Sequence, residues 1–220
     1  MILNFLDFLT ENINENYLDH IPPIPEINEK NKLGVILLGL PGAGKSTFAR
    51  HHIPRDIKKF STDDVSLEFT KDPKKHYPGA SDINIERLKK QIESGNNFIY
   101  DTTGVDEVKT ELIYSKAKES GYKVIFILVL IDISTAKMQN KRRSRMGGHM
   151  ADEDFIEQVY GKQLETTKKY LKLRPDGFYL ALSVSYQTPI HEFPRIKYRF
   201  MKFDSNGELM FRRKNRYEYK

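Results

Sequence analysis

The residues best suited to chemistry are Gly39-Leu40-Pro41-Gly42-Ala43-Gly44-Lys45-Ser46-Thr47. They fit the phosphate-binding pattern G-x-x-x-x-G-K-S/T. Glycine lets the backbone fold back so that successive N–H groups point inward at an anion. A helix opening at Lys45 or Ser46 adds its positive end. In such a loop Gly39, Pro41, Gly42, Ala43, Gly44, Lys45, Ser46 and Thr47 surround the phosphates. Lys45 reaches the β- and γ-phosphates, and the Ser46 hydroxyl serves Mg²⁺. The implied ligand is a nucleoside triphosphate, ATP or GTP, with Mg²⁺. Hydrolases, kinases and motor domains all use this loop, so by itself it leaves the reaction open.

The elements around the loop decide where further groups meet it. Leu33 to Leu38 is apolar and reads as a buried parallel strand, and Ser46 to His52 reads as a helix. Lys58-Lys59-Phe60-Ser61 is a second short strand ending in Thr62-Asp63-Asp64. Phe98-Ile99-Tyr100 is a third, ending in Asp101-Thr102-Thr103-Gly104, and Val124 to Ile131 is a fourth, ending at Asp132. Helical stretches lie between them: one carrying Ile83, Leu88 and Ile92 behind a possible Asp82 cap, and one carrying Val105, Val108, Leu112 and Ala117. Strands alternating with helices imply an α/β fold, an open parallel sheet flanked by helices. In such a sheet the carboxyl ends of the strands line the ligand crevice. Asp63, Asp64, Asp101 and Asp132 all fall there. Asp63 suits a general base that takes the proton of an acceptor hydroxyl, and Asp101 suits a magnesium partner. The plainer reading of Asp63-Asp64 is a helix cap, and Asp132 reads as the cap of the next helix.

Ser134 to Arg145 is helix-compatible and ends in Lys141-Arg142-Arg143-Ser144-Arg145, followed by Gly147-Gly148-His149. Cations beside the fourth strand suit a lid that closes on phosphates, with glycines as its hinge. A solvated helix face is the ordinary alternative. His149 reads equally as a phosphate contact and as a turn residue. A longer helix follows, Asp152 to Leu171.

These motifs, in this order, resemble the phage-type 5′-polynucleotide kinase domain and the related zeta-toxin kinases. The resemblance covers about residues 33–171. It implies a P-loop kinase fold, with Asp63 as general base and with transition-state arginines drawn from Arg142, Arg143 and Arg145. Nucleic-acid kinases carry arginines on both sides of the Asp pair, where this chain has Thr62, Val65 and Ser66. Arg145-Met146-Gly147-Gly148-His149 resembles instead an element of zeta-toxin-like kinases, which act on nucleotide sugars.

Composition frames these expectations. The chain has 220 residues and no cysteine, which excludes disulfides and thiolate zinc sites and agrees with a reducing, cytoplasmic setting. No apolar run approaches the ~20 residues that cross a bilayer, so no membrane role is expected. Residues 195–220 hold nine Lys/Arg against three acids, which accounts for the whole net charge of +6. That segment alternates from Arg195 to Phe203, turns at Asn206-Gly207 and returns over Glu208 to Phe211, a hairpin pattern. The expected organisation is an amphipathic helix and Pro-rich connector over 1–31, a P-loop kinase domain over 32–190, and a basic, aromatic hairpin over 191–220. The leading expectation is an ATP-dependent phosphotransferase acting on a nucleic-acid hydroxyl, at a 5′ end or on a hydroxylated base. A nucleotide-sugar or nucleoside kinase is the alternative acceptor reading. A nucleotide-binding switch or adaptor with little catalysis is the reading from another class.

Overall fold

The computed structural model describes residues 32–72, 75–146, 148–185 and 196–203. Its sheet runs β2-β3-β1-β4-β5-β6, built from β1 (Leu33–Gly39), β2 (Lys58–Ser61), β3 (Phe98–Asp101), β4 (Lys123–Leu130), β5 (Gly177–Ser185) and β6 (Ile196–Phe203). The first five are parallel, and β6 pairs antiparallel with β5 at the edge. Among the described residues six helices flank it: α1 (Lys45–His52), α2 (Thr62–Thr70), α3 (Ala80–Glu93), α4 (Glu107–Glu119), α5 (Ile133–Arg145) and α6 (Glu153–Lys172).

The central strands are apolar on both faces because helices cover both. In β1, Ile36 and Leu38 face a core with Leu88 and Ile92 of α3 and Ile113, Tyr114 and Ala117 of α4. Leu33, Val35 and Leu37 face the other core, with Phe48 and Ala49 of α1 and Ala136 of α5. Helix α6 gives Tyr170 to the first core and Val159 to the second. This double coverage aligns the strand ends, so everything that follows β1, β2, β3 and β4 opens onto one crevice.

Three local expectations are corrected. Asp82 does not cap α3: the helix starts at Ala80 behind Gly79, and Asp82 pairs with Lys109 at 2.7 Å. In α4 the buried positions are Thr110, Ile113, Tyr114 and Ala117, while Val108 and Leu112 face outward. Thr62-Asp63-Asp64 is the first turn of a helix, and neither Asp63 nor Asp64 is its N-cap, which is Ser61. Gly177–Ser185 forms β5, a strand not singled out in the sequence, although Phe178 to Ala181 is an apolar run and is buried. Its presence brings β6 into the main sheet. The Asn206-Gly207 turn, the Glu208 to Phe211 return and residues 1–31 lie outside the described residues.

Candidate active site

The phosphate loop links β1 to α1 along the floor of the crevice. Gly42 has φ +83°, and a Cβ there would lie 2.2 Å from the Ala136 carbonyl oxygen of α5. Only glycine allows both that backbone angle and that approach. The loop is therefore packed directly against the helix that carries the basic cluster. Gly44, in the left-handed region at φ 88°, opens α1, and no side chain caps that end of the helix. The first-turn amides are thus directed at the loop, where an anion would complete them.

Lys45 curls into the loop it follows. Its ammonium donates to the carbonyl oxygens of Gly39 (3.0 Å) and Leu40 (3.1 Å) and stands 3.7 Å from Asp101 Oδ1. Both charged groups are nearly out of solvent, with side-chain exposures of 11% and 8%. Burial pulls the Lys45 ammonium below its ordinary range, against the opposing pull of Asp101 and Asp63. Burial likewise pushes the Asp101 carboxyl up, against Lys45 and Lys59. Each group is driven toward neutrality because their separation exceeds a direct hydrogen bond and leaves the desolvation cost uncovered. Such a pair is a site prepared for further ions.

On the other oxygen of the same carboxylate, Ser46 Oγ donates to Asp101 Oδ2 at 3.4 Å. A hydroxyl and a carboxylate side by side are hard oxygen donors. Among the described residues no group of three or more His, Cys, Asp or Glu side chains is placed to hold a metal. That donor set fits Mg²⁺, which is usually bound through one or two protein oxygens together with substrate phosphates.

The loop that follows β3 is held by three hydrogen bonds, one within it and two to its surroundings. Thr102 N–H donates to Leu37 O (3.0 Å), Gly104 N–H to Thr102 Oγ1 (3.2 Å), and the buried Tyr170 hydroxyl donates to Gly104 O. Tyr170, at the far end of α6, thereby fixes the Asp-Thr-Thr-Gly turn from behind.

Asp63 lies in the first turn of α2, where the helix dipole favours a carboxylate. Arg143 of α5 reaches it across the crevice, with one terminal nitrogen donating to Asp63 Oδ2 at 3.0 Å. The guanidinium is itself held from the next turn, where Arg143 Nε donates to His149 O (2.7 Å); the turn is closed by Gly148 N–H donating to the Arg143 backbone carbonyl (3.0 Å). His149 Nε2 lies 3.9 Å from Asp63 Oδ1. Behind this turn, Asn140 is buried and exchanges two hydrogen bonds with the backbone of Ala151 (2.8 and 3.1 Å), which pins residues 148–151 to α5.

Of the expected residues, the structure brings Lys45, Ser46, Asp63, Asp101 and Arg143 to one crevice. Arg142 and Arg145 are exposed on α5. Asp132 caps α5, accepting from Thr135 N–H (2.8 Å) and the Ser134 hydroxyl (2.6 Å). Two participants were not singled out in the sequence. Tyr170 sits in an ordinary apolar helix stripe and carries no signal. Lys59 pairs with Asp64 at 2.9 Å and approaches Asp101 at 3.9 Å. Its signal was strand alternation, which puts it on the same face of β2 as Ser61.

Comparison with known proteins agrees with this fold. The model of the AAA_33 family, described as an AAA domain, matches residues 35–170. No curated protein matches the chain. Among solved structures the chain is similar to one in the Pnkp1/Rnl/Hen1 RNA repair complex, at 21% identity over 64% of this chain and 47% of that one, TM-score 0.53. It is similar to one in the AvrRxo1-ORF1:-ORF2 complex with ATP, at 13% identity over 84% and 63%, TM-score 0.57. It is also similar to one in the PezAT chromosomal toxin-antitoxin system of Streptococcus pneumoniae, at 15% identity over 82% and 75%, TM-score 0.50. At these identities the likeness is one of fold. The chain spans 47% of the first of these and 63% of the second.

Proposed function

The chain belongs to the AAA_33 family of AAA domains and has the P-loop kinase fold, and we propose that it transfers the γ-phosphoryl group of ATP to a hydroxyl, with Asp63 as general base. The observation that carries this reading is the pairing of Asp63 with Arg143. A nucleotide-binding switch needs the loop, Lys45 and Ser46. It has no need of a carboxylate and a guanidinium, 80 positions apart in sequence, held 3.0 Å apart beside that loop.

The loop amides and Lys45 hold the β- and γ-phosphates. Ser46 and Asp101 would hold Mg²⁺, which supplies charge neutralisation to the phosphates when bound. An acceptor hydroxyl placed at Asp63 gives its proton to the carboxylate as its oxygen bonds to the γ-phosphorus. The bond from that phosphorus to the β–γ bridging oxygen breaks, and ADP carries the released charge. Arg143 exchanges its bond with Asp63 for one with the transferring phosphoryl, where charge spreads over three equatorial oxygens. That exchange both stabilises the transition state and frees Asp63 to accept the proton.

For the acceptor, the first reading is a nucleic-acid hydroxyl, at a 5′ end or on a hydroxylated base. It draws on the basic, aromatic 195–220 segment and on the fold likeness to a chain of an RNA repair complex. A nucleotide sugar is the second reading, favoured by His149 of the Gly-Gly-His element, 3.9 Å from Asp63. The test is label transfer from γ-labelled ATP to 5′-hydroxyl DNA and RNA, hydroxymethyl-base DNA and UDP-sugars. Label on one acceptor class is expected. Lys45→Ala should abolish it, and Asp63→Asn should lower kcat by about 10²–10⁴-fold while leaving ATP affinity intact. Full turnover by the Asp63→Asn protein removes Asp63 as base, and no label on any acceptor favours the switch.

A further inference from the structure

The acceptor side of the crevice holds a cation that phosphoryl transfer from the loop does not use. β2 is an edge strand, and its side chains alternate. Lys58 lies over the ring of Phe60, its ammonium 5.3 Å from the centroid, and is exposed. That is a fitting place for a lysine that guards a sheet edge. Lys59 goes to the other face, where its ammonium lies 2.9 Å from Asp64 Oδ2 and 3.9 Å from Asp101 Oδ2. Lys45 approaches the opposite oxygen of Asp101, at 3.7 Å. The Asp101 carboxylate therefore stands between two ammonium groups. One belongs to the phosphate loop. The other belongs to the strand that leads into Asp63.

Three carboxylates (Asp63, Asp64, Asp101) and three cations (Lys45, Lys59, Arg143) meet here. Lys45 is committed to the loop and Arg143 to Asp63. Lys59 is bonded to Asp64, whose side chain is 57% exposed. An ion pair that open to water contributes little, so an incoming phosphate can take the ammonium from it at small cost. The positions that follow Asp63 along α2 are closed to this role. Val65 and Ser66 are buried, and the Ser66 hydroxyl is bonded to Tyr77 N–H (2.8 Å) and Lys75 O (3.3 Å). Arg87, farther along, is paired with both oxygens of Glu68 (2.9 and 2.8 Å).

Resting on the kinase reading of the site, we propose that Lys59 binds a phosphate carried by the acceptor, beside the hydroxyl presented to Asp63, and so selects phosphorylated acceptors over their phosphate-free counterparts. A phosphodiester of nucleic acid and the diphosphate of a nucleotide sugar share this chemistry. Lys59 is then the determinant of acceptor class, acting on binding rather than on the transferred group.

The test is calorimetric titration of the full chain, loaded with Mg²⁺ and a non-hydrolysable ATP analogue. One probe pair is a nucleoside 3′-phosphate with a free 5′-hydroxyl against its nucleoside. The other is a sugar 1-phosphate against the free sugar. The wild type should prefer the phosphorylated member of at least one pair by about tenfold or more, and the pair that shows it identifies the source of the phosphate. Lys59→Gln should erase that preference, and Lys59→Arg, which keeps the charge, should retain it. Affinity for the ATP analogue should be unchanged in both variants. The proposal is overturned by a wild type with no preference in either pair or by a Lys59→Gln protein that keeps it. A parallel loss of ATP-analogue affinity also overturns it, because Lys59 would then serve the donor. Failure of the kinase reading looks different: the phosphate preference stands, but no label moves from γ-labelled ATP to any acceptor.

Discussion

Replacing Arg143 with alanine separates a structural role from a chemical one, because the two carry different magnitudes. In the resting site its ion pair with Asp63 is 38% and 45% exposed. Solvent screening at that exposure limits the pair to about 0–1 kcal/mol. The bond from Nε to His149 O adds about 1 kcal/mol net. Arg143→Ala should therefore destabilise the fold by about 1–2 kcal/mol, a fall in Tm of about 2–8 °C for a chain of this size. A transition-state arginine, by contrast, supplies about 10³–10⁵ in kcat, or roughly 4–7 kcal/mol. The loss of turnover should exceed anything the loss of stability can explain.

The assay is steady-state label transfer at 25 °C, well below the melting transition, with folded fraction checked by circular dichroism. Arg143→Ala is expected to lose at least about 10³ in kcat with little change in KM for ATP. Arg143→Lys should fall between, since an ammonium keeps the charge but not the planar fork. Arg142→Ala and Arg145→Ala change exposed residues and should cost no more than about threefold. A greater loss from either of these than from Arg143→Ala would refute the assignment. A loss from Arg143→Ala that merely follows the unfolded fraction would show that its bond to Asp63 is only structural.

Other perturbations test the frame around this pair. Gly42→Ala places a methyl 2.2 Å from the Ala136 backbone oxygen at φ +83°. It should cost about 2–5 kcal/mol in urea unfolding through combined strain and overpacking, and the folded fraction should turn over more slowly because α5 is displaced. Tyr170→Phe leaves the Gly104 carbonyl without its buried donor. It should lower stability by about 1–3 kcal/mol and weaken Mg²⁺-dependent nucleotide binding, measured by titration, through the loosened Asp101 turn. Burial acts to raise the Asp132 carboxyl, but bonds from Ser134 and Thr135 outweigh it and hold the group below its ordinary 3.8. An acid held below its unfolded value gives stability that is present above that value and lost as pH falls through the lower, folded one. Asp132→Ala should cost about 1 kcal/mol at neutral pH and flatten the acid limb of a stability–pH curve below about pH 4.

The strand–loop–helix unit at Gly39 was legible because its demands are local. An apolar run, glycines at fixed offsets and a lysine each act within a few residues of one another. The parallel sheet was legible for a similar reason, since the first four strands alternate with helical stretches along the chain. Less was legible wherever a residue answers to a partner far along the chain. β5 carries an apolar run of its own, Phe178 to Leu182, but its place in the sheet, parallel to β4 and antiparallel to β6, is set by those two partners. Val108 and Leu112 read as core, yet the register of α4 is set by Thr110, Ile113, Tyr114 and Ala117, so the apolar pair turns to solvent.

Helix α5 shows the limit most clearly. Helical spacing alone gives Arg142, Arg143 and Arg145 equal standing. What separates them is the turn after α5. Gly148, whose absent Cβ would lie 2.5 Å from Arg143 Cγ, leaves room for that one side chain to pass. The His149 carbonyl then fixes its guanidinium, and the Asn140 bonds to Ala151 hold the turn in place. A sequence pattern can require a glycine at such a turn without stating which side chain the glycine makes room for. The same holds for Lys59, one of two adjacent lysines: the pleat of β2 alone sends one to the sheet edge and the other to Asp64 and Asp101. The phosphate loop is therefore written in a contiguous motif. The proposed acceptor side is assembled from single residues of β2, α2, α5 and the turn after it, and only their meeting in space gives it chemical meaning.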